Sequence, residues 1–248
     1  MTTLKSAREI ATMKAAGEIS AAALQLVGEA VRPGMTTLEL DEIAKKYITQ
    51  QGAKPSFLGY NGYPATICAS VNSEIVHGIP GDRVLKEGDI VSIDLGAKYK
   101  GYHGDNAKTY PVGKVSAEAQ QLMDVTEQSF FAGMEAFQKG KRLTNISAAV
   151  QQTAENAGFS VVRELVGHGI GQALHEEPNV PNFVSRNKGP RLMVGMVLAI
   201  EPMINLGAKE TETLGDGWTV VTRDRKMSSH YEHTVALTEN GPEILTKA

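Results

Sequence analysis

The chain has 248 residues, 42% of them hydrophobic and 21% charged, enough for a sizeable core arranged as one large domain or two small ones. A net charge of -3, with no Lys or Arg run beyond short pairs, leaves no electrostatic footprint for nucleic acid or an anionic membrane. Cys68 has no partner for an intrachain disulfide, the start MTTLKSAREI lacks an apolar signal core, and the longest apolar run, around Met193 to Ile200, is too short to span a bilayer, which together point to the cytoplasm.

Ser6 to about Val31 is Ala- and Glu-rich with apolar residues at helical spacing, and Arg32-Pro33-Gly34 stops it, predicting a first helix. Thr36 and Glu39 form a capping box for a second, whose apolar face is Leu40, Ile43, Ala44, Tyr47 and Ile48 and whose end is Gly52. Phe57 to Ile79 turns to Gly, Tyr, Pro and β-branched residues, with short strands at Thr66 to Ser70 and Glu74 to Val76. Ser116 to about Gly140 and Thr144 to Gly158 read as helices three and four. Val161 to Val166, Met196 to Met203, Trp218 to Arg223 and Tyr231 to Leu237 read as strands. Helices segregate from antiparallel strands, so the class is α+β.

Before helix three lies IVSIDLGAKYKGYHGDNAKTY, Ile90 to Tyr110, which predicts an antiparallel hairpin. A register symmetric about Tyr99-Lys100 would oppose Asp94 and Asp105 directly, with Cβ atoms roughly 5 Å apart. Two like charges at that separation require a proton or a cation between them. A hairpin shifted by one residue would instead leave two solvated aspartates.

The order helix, helix, strands occurs twice, and the glycines mark it. Gly34 and Gly52 bracket helix two as Gly140 and Gly158 bracket helix four, an offset of 106 positions. At an offset of 107, Gly88-Asp-Ile-Val-Ser-Ile-Asp94 aligns with Gly195-Met-Val-Leu-Ala-Ile-Glu201. Without sharing that offset, His77-Gly-Ile-Pro80 echoes His168-Gly-Ile-Gly171. This predicts two related halves, about 1 to 113 and 114 to 248, sharing one sheet and meeting at one site. The meeting would set Asp94 and Asp105 against Glu201 and Glu232, with His168 joining from its Gly-rich loop. Four carboxylates and an imidazole need cations to share a site, and a donor set this rich in oxygen suits two divalent ions performing hydrolysis.

The stretches FLGYNGYPATICASVNSEIVHGIP, SIDLGAKYKGYHGDNAKTY, GHGIGQALHEEP, AIEPMI, GDGWTVVTRD and YEHTVALT occur in an order and spacing that resemble the type I methionine aminopeptidases, metallopeptidases of the pita-bread fold. The resemblance implies a single catalytic domain over 1–248, with two pseudo-symmetric halves sharing a central antiparallel sheet flanked by helices. It also implies a monomer that removes the N-terminal methionine from nascent polypeptides and peptides with a small second residue; association with the ribosome is left open. Asp94, Asp105, His168, Glu201 and Glu232 match the positions that bind two divalent ions (cobalt, manganese, iron(II) or zinc), with Asp105 and Glu232 bridging. Glu201 would assist the attacking water, and His77 and His175 would contact the scissile peptide. Residue chemistry alone also allows His175 to be a surface histidine in a turn, and His103, His230 and His233 read as solvated or as neighbours of ligands.

By the same resemblance Tyr60, Tyr63, Cys68 and Trp218 line the side-chain pocket, although each also fits an ordinary core. Leu174 stands where many bacterial relatives carry Phe, keeping an apolar lining without a sulfur to ring contact. Only 26 positions separate His175 from Glu201, and this absence of an insertion favours type I over type II. Two rivals are a proline-specific aminopeptidase or dipeptidase of the same fold and a non-catalytic pita-bread binding protein.

Overall fold

The computed structural model describes residues 2–248. Four helices, α1 (Ala7–Ala30), α2 (Thr37–Gln50), α3 (Ala117–Ala136) and α4 (Thr144–Asn156), pack against a curled antiparallel sheet. In the first half the strands are β1 (Lys54–Pro55), β2 (Ile67–Val71), β3 (Glu74–Val76), β4 (Ile90–Tyr99) and β5 (Tyr102–Pro111). In the second they are β6 (Ser160–Val161), β7 (Gly167–Gly169), β8 (Glu176–Val180), β9 (Val197–Ile200), β10 (Met203–Asn205), β11 (Thr211–Thr213), β12 (Val220–Thr222), β13 (Ser228–His230), β14 (Glu232–Thr238) and β15 (Gly241–Ile244). The main sheet runs β1-β4-β5-β14-β9-β7-β8, with β2 pairing β4 and β15 pairing β14. Two three-stranded sheets, β13-β10-β6 and β11-β12-β3, adjoin it.

Capping boxes start both N-terminal helices: Ser6 with Glu9 and Thr36 with Glu39 satisfy each other's first-turn donors. The helices cover one face of the main sheet. Ala23, Val27, Leu40 and Ile48 from α1 and α2 bury Ile93 and Leu95 of β4, while Phe130 and Ile146 from α3 and α4 bury Leu198 of β9 and Val235 of β14. Each of the Val, Leu, Ile and Phe side chains among these contributes about 1.5–3 kcal/mol by leaving water. The other face is left for the site.

The two halves repeat their connections atom for atom. Gly34 N–H donates to the Leu85 carbonyl at 2.9 Å and Leu85 N–H returns to Met35; Gly140 donates to Leu192 at 2.8 Å and Leu192 returns to Lys141. Gly34, Gly52, Gly140 and Gly158 all hold φ between 72° and 91°, the left-handed region where a Cβ is penalised. The echo between His77 and His168 does not extend to the fold. His168 pairs with Ala199, whose counterpart Ser92 pairs with Ser70, so Ser70 and not His77 occupies the equivalent place.

Three expectations are corrected. The hairpin turns at Lys100-Gly101, with φ of 47° and 88°, because a tight two-residue turn of this hand needs positive φ at both central residues and Gly101 supplies one without strain. Asp94 therefore pairs with Ala107 and Asp105 with Gly96. The register differs by two positions, so both aspartates stay on one face as diagonal neighbours. The strand expected over Met196 to Met203 breaks at Glu201-Pro202, since Pro202 has no N–H for the ladder, and the chain passes there from the main sheet into β10. The strand expected over Val161 to Val166 stops at Val161 because Arg163 and Glu164 turn outward to solvent.

A carboxylate cluster at the mouth of an apolar pocket

Strand register assembles the cluster. Asp94 pairs with Ala107 and Ala107 with Glu232, so both carboxylates project from one row on the face away from the helices. The next row holds Asp105, whose backbone N–H and carbonyl both bond the Thr234 hydroxyl, then Thr234, Ala199 and His168 in paired order. Glu201 enters from the sheet-to-sheet crossing beside Pro202, and Asn182 holds its carbonyl at 2.9 Å. A Cβ at Gly167 would come within 2.4 Å of the Ala199 carbonyl and one at Gly169 within 2.4 Å of the Glu177 carbonyl, so only glycines let the His168 strand lie this close.

His168 Nδ1 lies 2.8 Å from the Gly169 carbonyl. A carbonyl only accepts, so Nδ1 carries the proton and the Nε2 lone pair faces Glu201 Oε1 at 3.5 Å and Asp105 Oδ2 at 3.9 Å. Burial holds the imidazole neutral, with its pKa down to about 3. Burial pushes Asp94 up to about 8; it also raises Asp105, with Asp94 beside it, and raises Glu201 and Glu232 through burial and the other carboxylates. Oδ1 of Asp94, Oδ1 of Asp105 and Oε1 of Glu232 are buried with no hydrogen-bond partner. Lone pairs facing lone pairs without donors are the arrangement a cation resolves.

The cluster opens onto a cavity of about 260 Å³. Its apolar side is Tyr60, Tyr63, Cys68, Leu174 and Trp218, joined by Phe57, Leu165 and Met203. Cys68 pairs across the strands with Asp94, at the seam between thiol and carboxylates. Burial raises its thiol pKa, keeping it protonated. Tyr63 stacks edge-on against Trp218 at 5.1 Å between ring centroids, with its hydroxyl 3.0 Å from the Ile67 carbonyl. His77 faces Trp218 edge-on at 6.5 Å, and His175 stands at the rim with Nδ1 2.8 Å from the Tyr60 hydroxyl and its ring 4.1 Å from that of His168. A larger open groove, about 630 Å³ between α1, β5 and the C-terminus, contains none of the five clustered groups.

The family model of metallopeptidase family M24 matches residues 11–239. The chain belongs to this family. It is 56% identical over 243 residues to methionine aminopeptidase 1 of Bacillus subtilis, covering 98% of each chain. Its fold superposes on the crystal structure of methionine aminopeptidase from Thermotoga maritima with a TM-score of 0.98 at 43% identity, over all of both chains. The prolidase from Pyrococcus furiosus is also similar, at a TM-score of 0.80 and 25% identity, but the match covers 65% of that longer chain and 99% of this one.

The M24 family is one of metallopeptidases, and the residues present fit a divalent metal. Two triads have ligand atoms lying within 4.8 Å of one another, Asp105 with His168 and Glu232, and Asp94 with His230 and Glu232. All twelve residues singled out from the sequence line this one cavity. Of the three remaining histidines none is solvated: His103 Nδ1 meets Ser56 at 2.9 Å, and His233, on the helix-facing side, bonds Thr246 and Tyr231. His230 lines the cavity itself. Its proximity to Glu232 in sequence was the available signal, but a residue two places away along an extended strand gives no angle around the bend at Tyr231.

Proposed function

We propose that this chain is a metal-dependent aminopeptidase that removes the N-terminal methionine from peptides and nascent proteins with a small second residue. The observation that carries it is the shared cavity: a buried carboxylate and imidazole cluster and the apolar side chains Tyr60, Tyr63, Cys68, Leu174 and Trp218 line one space of about 260 Å³. Full-length identity to methionine aminopeptidases supports the same assignment over the proline-specific one. In this reading Asp94, Asp105, His168, Glu201 and Glu232 hold two divalent ions, with Asp105 and Glu232 shared, and cobalt, manganese, iron(II) and zinc are the candidates. Ions held there would activate a water and polarise the scissile carbonyl.

The chain's own groups supply the rest. Tyr60, Tyr63, Cys68, Leu174 and Trp218 enclose the flexible thioether of the first residue, which suits a thiol and aromatic rings better than a branched chain. Glu201 takes the proton of the attacking water and passes it to the leaving amine. With Tyr60 donating to Nδ1, His175 presents Nε2–H to the oxyanion as the carbonyl becomes tetrahedral, and His77 approaches from the opposite rim beside Trp218. The two histidines narrow the entrance, so bulk at the second residue counts against cleavage. A monomer acting on emerging chains in the cytoplasm completes the reading.

A panel of tripeptides varied at residue one and then residue two tests it, with kcat/KM measured after chelation and after return of each ion. Met-Ala and Met-Gly peptides should be cut well and Met-Leu and Met-Lys peptides poorly. Discrimination at the first position between Met and Leu should be about 10 to 200-fold, the range available from shape at similar apolar volume. Faster cleavage of Ala-Pro or Leu-Pro peptides would assign the chain to the proline-specific activity, and turnover that survives chelation would remove the metal from the reaction.

A further inference from the structure

His230 is the one titratable residue in the cavity wall that the reading above leaves unused. It ends β13, and its backbone is clamped at both poles by one side chain: its N–H donates to Thr109 Oγ1 at 2.9 Å, and the Thr109 hydroxyl donates to its carbonyl at 2.9 Å. That clamp, together with pairing to Met203, fixes the direction of the side chain. The imidazole is 1% exposed, and neither ring nitrogen has a hydrogen-bond partner. Nε2 lies 3.6 Å from Glu232 Oε2 and 4.0 Å from Glu201 Oε2, too far for hydrogen bonds to either. A buried imidazole left with both nitrogens idle is costly, and the neighbours in reach of Nε2 are acceptors.

A ligand lone pair aimed between carboxylates accounts for this arrangement. His230, Asp94 and Glu232 place one donor atom each within 4.8 Å of the others, as do His168, Asp105 and the shared Glu232. The two histidines thus stand in matching relation to Glu232. We propose that His230 Nε2 is a sixth protein ligand, completing with Asp94 and Glu232 one of two ion positions, so that each position carries one imidazole. This rests on the metal-centre reading above. It gives the second position a nitrogen donor and shifts its preference from harder ions toward cobalt, iron(II) or zinc.

Cobalt(II)-loaded protein provides the test. An imidazole bound through Nε2 keeps its Nδ1 proton near the paramagnetic ion, so each ligating histidine gives one hyperfine-shifted, solvent-exchangeable proton NMR signal. Two such signals are expected, and His230→Gln should leave one while weakening the second equivalent of cobalt in a calorimetric titration by tenfold or more. A single signal in the wild type, unchanged in His230→Gln, overturns the proposal and leaves the metal centre intact. Failure of cobalt to bind at all overturns the metal-centre reading, and the proposal with it. The count in the wild-type protein decides even if the variant does not fold.

Discussion

His175 and Asp105 sit a few ångströms apart in one cavity, yet physical chemistry assigns them opposite kinds of failure. His175 stands at the exposed rim, its pKa lowered by the protein packed around the ring, and it makes no contact with the four carboxylates. Its replacement by Ala should lower kcat by about 10² to 10³-fold, the cost of losing one donor to a developing oxyanion, with cobalt or manganese binding unchanged by calorimetry. Loss of a metal ion from that variant would make His175 a ligand. Asp105, 3% exposed, is held above its ordinary pKa by burial and by Asp94. Asp105→Asn should lose about 10³-fold or more in kcat/KM, since several kcal/mol of charge stabilisation depends on the shared carboxylate. The same variant should melt higher than wild type in chelator at pH 8, because an amide is neutral in both states whereas burial makes Asp105 hold in the fold a proton that the unfolded chain has released, and manganese should no longer raise its melting temperature. A chelated variant that melts lower than wild type would refute electrostatic frustration in the metal-free site.

At the scale of elements, the close approach of α1 to the β4–β5 hairpin decides where the site's floor lies. A Cβ at Gly104 would sit 2.6 Å from Gly17 Cα and N, backbone against backbone with no side chain able to swing away. Gly104→Ala should therefore destabilise the fold by about 3 kcal/mol, the upper range for overpacking, measured by urea unfolding. A loss under about 0.5 kcal/mol would mean that α1 slides freely. What could be read from sequence follows the same logic of local against distant forces. The N-terminal helices and the hairpin were legible because the Arg32-Pro33-Gly34 stop, the Thr36/Glu39 cap and alternating Ile93 and Leu95 act within a few residues. The short strands β7, β8 and β13 were not, since Gly167–Gly169, Glu176–Val180 and Ser228–His230 carry little strand propensity: β7 and β13 form on the distant strands β9 and β10, and β8 then pairs with β7. For the site, the residue set was legible through its motifs. The diagonal geometry of Asp94 and Asp105 was not, because it turns on a Lys-Gly turn whose two positive φ values displace the register.

For the whole molecule, the buried cluster makes stability depend on pH and metal together, and the sign can be worked out. Asp94 is raised to about 8 and Asp105, Glu201 and Glu232 are raised well above their ordinary range, so in the metal-free fold they keep protons that the unfolded chain has already released. Folded pKa values above unfolded ones give stability that is complete below about pH 4 and declines as pH climbs through the folded values. The buried histidines act in the opposite sense. His168 and His230, both lowered to about 3, and His103 and His233, both lowered to about 4, stay neutral in the fold and cost stability once the unfolded chain protonates below about pH 6.5. From about pH 7.5 upward those histidines are neutral in both states, which leaves the carboxylates in control. The melting temperature in chelator should fall steadily from pH 7.5 to 9. Divalent ions reverse the slope: they bind the deprotonated carboxylates and the fold alone, so their stabilisation grows with pH as protons cease to compete. Scanning calorimetry at three pH values across that window, with chelator and with manganese, reads both slopes. A chelated protein whose melting temperature is flat or rising across the window would show that the four carboxylates do not share a dehydrated site.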